Sequence, residues 1–331
     1  MGQVVHARFP EKTGEVTGGE MTERCTGGAV HAQRRDDGRR IGSWLTATAV
    51  VLNIAQLFGL PLLIPGDPAW GWALLPLLLL TTTFWSVIHE AVHGNLHHSR
   101  SRNDRYGRVL AVLYGSPFAL LKAGHLLHHR YNRTRERAEV YDPASSTWAK
   151  VAPGYYLRLF GGLYLLEVAA IMLAALPVAA VHGLARAVDG PDTVAGPLLE
   201  CLARPEVFRQ FRVDAAVVVG LHGAAFAAYG PHWWMLLAAL AGRGVIVSLS
   251  DNAYHYGTDL DEPLEALNLK LPAPLEVLAL SFNLHGVHHL RPGLRWYELR
   301  PAFDAEGGRH DIGWFRAVAR QIRGPLRLTD R

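Results

Sequence analysis

From Ser43 to Ile88 the chain carries a single charged residue, Asp67. Few folds accept so long a run without charge. The turn Pro65-Gly66-Asp67-Pro68 divides it into 44–64 and 69–88. Each half has the roughly 20 residues that a helix needs to cross about 30 Å of hydrocarbon. Two more apolar runs, 213–229 and 232–250, meet at Tyr229-Gly230-Pro231-His232, and another lies at 159–183. With 50% hydrophobic residues gathered into such blocks, the 331-residue chain is expected to be an all-α, polytopic membrane protein.

The basic residues orient it. Arg34, Arg35, Arg39 and Arg40 precede the first run, the first turn has no Lys or Arg, and nine basic residues fall between Arg100 and Arg137. The N-terminus and residues 89–150 are therefore expected on the cytoplasmic side. Arg186, Arg204, Arg209 and Arg212 place 184–212 there too, so 159–183 is expected as a re-entrant or interfacial helix held at Pro177. The fold expected is about four transmembrane helices in two hairpins plus that segment. Trp70, Trp72, Trp233 and Trp234 fall at the outer ends, where indoles favour the interface. Residues 1–42 are polar and lack an apolar signal core, and are expected as a disordered cytoplasmic tail ahead of a membrane domain at 43–331. Cys25 and Cys201 are too few and too far apart for a disulfide framework or a cysteine metal site.

Histidine supplies the chemistry. Eleven of the 17 histidines fall in four short stretches. His89, His93, His97 and His98 lie in HEAVHGNLHH, and His125, His128 and His129 in HLLHH. His255 stands alone in DNAYHYGT, and NLHGVHH holds His285, His288 and His289. On a helix, positions i, i+3 and i+4 share one face, and packing alone gives little reason to load a face with imidazoles. Neutral imidazole is a common ligand for iron, zinc, copper and nickel. All four stretches fall at span ends or in loops on one predicted side, so they can converge at the mouth of one helix bundle, with an apolar channel for a long lipid chain.

One zinc takes four ligands at most. Nine histidines, His89, His93, His125, His128, His129, His255, His285, His288 and His289, suit two metals with four or five ligands each. Asn252 is placed to hold a water on one of them. Glu90, Asp142 and Asp251 are candidates to accept the far imidazole N–H groups. His97 and His98 read as surface or supporting residues, and His182, His222 and His232 as packing or interface residues. His6, His31 and His310 read as solvated.

Together HEAVHG, HLLHH, NAYHYG and NLHGVHHLRPGLRWYEL resemble the membrane-bound fatty acid desaturase superfamily, which also includes lipid hydroxylases and carotenoid ketolases. The resemblance spans about residues 45–325. It implies mainly four transmembrane helices, a cytosolic cap carrying the histidine boxes, and two iron ions held by histidine alone. Box one then corresponds to His89 and His93, box two to His125, His128 and His129, and box three to His285, His288 and His289. His255 corresponds to the family's extra histidine, and Asn252 to its water-holding asparagine. O2 is the implied co-substrate and a lipid or fatty acyl chain the substrate. The HLRPGLRWYEL context is similar to acyl-lipid enzymes and favours fatty acyl desaturation over hydroxylation or ketolation on the same core. No HPGG haem motif accompanies the boxes, so electrons are expected from a partner such as ferredoxin with its reductase. A sequence pI near 9.1 suits an acidic carrier, and no nucleic acid is expected.

Two other readings explain less. HEAVH also matches the zinc protease signature, with Glu90 as general base. An intramembrane protease leaves both H-x-x-H-H clusters without a task. A metal transporter would place its ligands near the bilayer midplane, whereas these lie at span ends.

Overall fold

The computed structural model describes residues 41–137 and 139–330. The tail expected over 1–42 lies outside them, except for Ile41 and Gly42, which already belong to the first helix. Gly42–Arg331 forms one compact unit.

Helix α1 (Ile41–Leu63) meets a bent pair, α2 (Pro68–Leu79) and α3 (Thr81–Val92). The lone charge of this region works at the turn: Asp67 Oδ1 accepts the Ala69 N–H at 2.9 Å, and Pro68 opens α2. Both are standard helix starters, since the first turn has N–H groups without intrahelical partners. The bend of 47° falls at Leu80, whose ψ of 6° leaves the helical region. Helices α4 (Arg100–Tyr114) and α5 (Phe118–Tyr131) follow, turned 102° from each other at Gly115–Pro117.

Helix α6 (Trp148–Ala175) has 28 residues and is long and apolar enough to cross a membrane. The run 159–183, expected as a single re-entrant or interfacial element, is instead divided. Its first part lies within α6. Pro177 forces Leu176 into an extended conformation, with ψ 149°, and a separate helix α7 (Val178–Val188) follows. A kink at Phe160–Gly161, where Gly161 takes φ 110°, brings that backbone against the last long helix, Trp233–Ala253. A Cβ on Gly161 would stand 3.5 Å from the Val245 nitrogen.

After α8 (Ala195–Leu202) come α9 (Pro205–Tyr229) and α10 (Trp233–Ala253), joined by the turn Gly230–His232. The two fold back on each other. Tyr229 Oη donates to the Gln56 carbonyl at 2.6 Å, and Arg243 donates to Gln56 Oε1 at 3.1 Å, so both arms meet one residue of α1. Arg243 also donates to the Tyr114 carbonyl at 2.9 Å and lies over the Tyr114 ring. A buried guanidinium is tolerable only with such partners. Met235 packs on Gly71, bringing the two hairpin turns together, and Trp70, Trp72, Trp233 and Trp234 are exposed beside them.

The described chain is mostly helical, with three apolar helical stretches of spanning length, Ile41–Leu63, Trp148–Ala175 and Pro205–Ala253 (the last holding both α9 and α10), or up to five if each bent pair is one span. An integral membrane protein follows. Four short helices complete it: α11 (Ala273–Leu278), α12 (His285–Leu290), α13 (Trp296–Ala305) and α14 (Trp314–Gln321). Strands β1 (Val140–Tyr141), β2 (Leu269–Lys270), β3 (Ile312–Gly313) and β4 (Leu326–Arg327) pair as β1 with β4 and β2 with β3, both parallel. The C-terminal segment is thereby tied to the loops that follow α5 and α10.

Candidate metal centre

Each histidine is delivered by the end of a helix. His89 is on the last turn of α3 and His93 caps it. Asn103, fully buried, fixes the turn beyond: its amide donates to the Ala91 carbonyl at 2.7 Å and its Oδ1 accepts from Leu96 and His97 N–H. His125, His128 and His129 end α5, His255 follows α10 by two residues, and His285, His288 and His289 sit on α12. Asn268 Oδ1 accepts the Val287 N–H at 3.0 Å and so holds the start of α12. Gly286 allows this approach, since a Cβ there would lie 2.6 Å from the Ala266 carbonyl oxygen and 2.7 Å from Asn268 Nδ2.

The nine predicted histidines gather into two sets. His89, His93, His125, His129 and His288 form one; His128, His255, His285 and His289 form the other. Within each set the ligand nitrogens lie within 4.8 Å of one another. Helix geometry explains the division. At about 100° per residue, i and i+4 lie nearly in line, while i+3 is turned to the other side. His125 and His129 therefore join the five-membered set and His128 the other. His285 and His289 join the four-membered set, and His288 crosses back. The sets are neighbours: the rings of His129 and His289 have centroids 4.4 Å apart.

The spacing of the nitrogens is informative. In the five-membered set, Nε2 atoms follow one another at 3.0 Å from His93 to His125, His129, His288 and His89. With metal–nitrogen bonds of about 2.1 Å, ligands at right angles stand about 3.0 Å apart and tetrahedral ones about 3.4 Å. These four distances lie nearer the right-angle value, and five imidazoles exceed the four ligands of a structural zinc site. In the second set, His289 Nε2 is 3.3 Å from that of His128 and 3.1 Å from that of His285. His255 Nε2 is buried there without a protein partner.

Four of the imidazoles are in the form a cation needs, whereas Glu136 favours the protonated form of His128. Burial first, and then neighbouring charges, hold His255, His285, His288 and His289 well below the ordinary histidine range. Each is neutral at pH 7 with a free lone pair. Behind them, His128 Nδ1 donates to Glu136 Oε2 at 2.6 Å, and His255 Nδ1 to the Glu265 carbonyl at 3.3 Å. Burial opposes ionisation of Glu136, but His128, then Arg158 and Arg133, bring its carboxyl down to about 2.

Several supporting residues differ from the sequence expectation. Glu136 is the acid on a histidine, whereas Glu90 lies against the Trp296 backbone N–H and Asp142 caps its own turn through Ala144 N–H at 2.8 Å. Asn252 is turned away: its amide donates to Gln321 Oε1 at 2.6 Å and reaches Tyr155 Oη. Asp251, one residue earlier and four before His255, lines the cavity beside the histidines instead. His97 and His98 stack on each other outside both sets, and His182 pairs with Glu200 at 2.9 Å. His222 donates to the Val218 carbonyl, and His310 packs on Phe303. His6 and His31 lie outside the described residues.

A cavity of about 430 Å³ opens beside His125 and His128. Trp85, Leu120, Leu121, Leu163, Ile246 and Phe282 form much of its wall, with Arg135, Arg137 and Arg158 at its polar side.

Helical spans ending at two adjacent, all-histidine candidate metal sites define an integral membrane protein of the histidine-box class. The model of the fatty acid desaturase family matches residues 68–315, and the chain belongs to that family. No curated protein and no solved structure matches it.

Proposed function

We propose that this protein is a membrane di-iron oxidoreductase that uses O2 and two external electrons to desaturate a fatty acyl chain. One observation carries the reading: nine imidazoles meet in two adjacent sets, of five and of four. The residues fit iron, which imidazole suits. His89, His93, His125, His129 and His288 would hold one ion, and His128, His255, His285 and His289 the other. Bound there, the ions supply the oxidant for an unactivated C–H bond, which no side chain provides.

The rest is positioning. Trp85, Phe282 and the leucines of α5 hold the chain against His125 and His128 and keep water away. Glu136 keeps the proton on His128 Nδ1, leaving Nε2 free to bind. The distribution of arginine supports a cytoplasmic histidine face, where an acidic electron carrier such as ferredoxin, with its reductase, docks.

Elemental analysis of freshly purified protein tests the reading. About two irons per chain are expected, and a single zinc would sink it. Lipids of an expressing host should then gain double bonds, whereas hydroxyl or keto products would assign hydroxylation or ketolation to the same centre. His288→Ala should lose iron and activity together; a fully loaded, active variant overturns the ligand assignment.

A further inference from the structure

The cavity beside the histidines is not a plain apolar slot. Glu167 lines it from the middle of α6, within a stretch from Leu159 to Ala175 that has no other charge. Among the described residues its carboxyl makes no hydrogen bond and no ion pair, and the charged side chain acting on it is another acid, Asp251. Asp251 lines the same cavity from α10, where His128, Glu136 and Arg158 act on it. Two hydroxyls join them. Thr81 Oγ1 and Ser250 Oγ are buried, belong to residues that line this cavity, and have no partner.

A carboxyl at membrane depth is strongly disfavoured, and where one is present it faces a cavity or a partner. A buried hydroxyl without a partner is disfavoured for the same reason. Here α6 and α10 bring Glu167 and Asp251 to one space next to the metal centre, while the Thr81 and Ser250 hydroxyls lie closed off within its wall. An alkyl segment would leave the Glu167 carboxyl unpaired. Anionic groups are served by Arg135, Arg137 and Arg158, which line the same cavity, whereas Glu167 comes from the apolar stretch of α6, where an ammonium would bring an ion into the bilayer. A carbonyl or hydroxyl pairs with the Glu167 carboxyl without bringing a second ion into the bilayer.

We propose that Glu167 is a specificity-determining subsite that hydrogen-bonds a neutral oxygen group of the lipid substrate. This rests on the reading that the cavity holds that lipid. The oxygen group is either the acyl carbonyl at the head of the chain or a hydroxyl along it. In both cases it sets which carbon lies at His125 and His128.

The experiment uses the full chain in detergent, with binding measured for octadecane, methyl octadecanoate and methyl 12-hydroxyoctadecanoate. One hydrogen bond to a carboxyl in such a cavity corresponds to about tenfold in affinity. The protein should prefer an oxygenated probe to octadecane by that factor. Glu167→Leu should abolish the preference, while Glu167→Gln keeps most of it. Preference already shown by methyl octadecanoate identifies the head carbonyl; preference shown only by the hydroxy ester identifies a chain hydroxyl. Thermal stability gives a second readout, because Glu167→Leu removes an unpaired carboxyl from an apolar helix and should raise Tm. Equal binding of all three probes, or a preference that survives Glu167→Leu, overturns the subsite. So does a Glu167→Leu chain that fails to fold. Failure of every probe to bind overturns the lipid reading of the cavity itself.

Discussion

Glu136 stands eight residues beyond His128, in a loop that gives no sign of its task, and it holds that imidazole by a 2.6 Å contact. Partners of this kind typically change metal affinity 10- to 100-fold. Glu136→Gln should therefore weaken binding at the four-histidine set by about that factor, read by titration against a chelator, and leave the five-histidine set nearly intact. The pH dependence has a defined sign. A carboxyl lowered to about 2 in the folded protein contributes fully above its unfolded value of about 4.3 and loses that contribution as pH falls towards 2. Wild-type metal retention should thus owe nothing to Glu136 titration between pH 6 and 8. Sequence spacing singled out the histidines that the fold brings together, because i, i+3 and i+4 are a helix property. It could not identify Glu136, which reaches His128 through a loop. Nor did it distinguish Asp251 from Asn252, since one step of 100° along α10 separates the cavity from Gln321.

At the scale of elements, the centre depends on two close approaches. Gly286→Ala would place a methyl group 2.6 Å from the Ala266 carbonyl. Overpacking of this kind costs about 1–3 kcal/mol, so the variant should show a lower Tm and a shifted α12 with reduced iron content. The loop after α5 is held by Arg133, whose side chain is 1% exposed. It pairs with Glu139 at 2.6 Å and donates to the Thr258 carbonyl just beyond His255. Removing one partner of a buried ion pair costs about 3–5 kcal/mol. Arg133→Ala should be among the most destabilising single changes outside the histidines, measurable by thermal unfolding in detergent. The apolar runs and their turns announced the two hairpins, since charge and proline mark them in sequence. The kink at Phe160–Gly161 was not legible, because it is fixed by how closely α10 approaches.

The whole molecule brings helices from its beginning, middle and end to one point. Anything that binds the folded but not the unfolded chain stabilises it, so chelation should lower Tm and iron(II) should restore it. What composition and histidine spacing conveyed was the class of fold and the nine histidines that cluster. The partition into five and four, and the polar groups within the cavity, emerged only from packing. That partition has a further consequence. His125 and His129 serve one set and His128 the other, while His285 and His289 serve one and His288 the other. Ordering α5 or α12 around a first ion therefore assembles most of the second site. Filling should be positively cooperative: at half the saturating iron, the population should consist mainly of empty and doubly filled chains, with few carrying one ion.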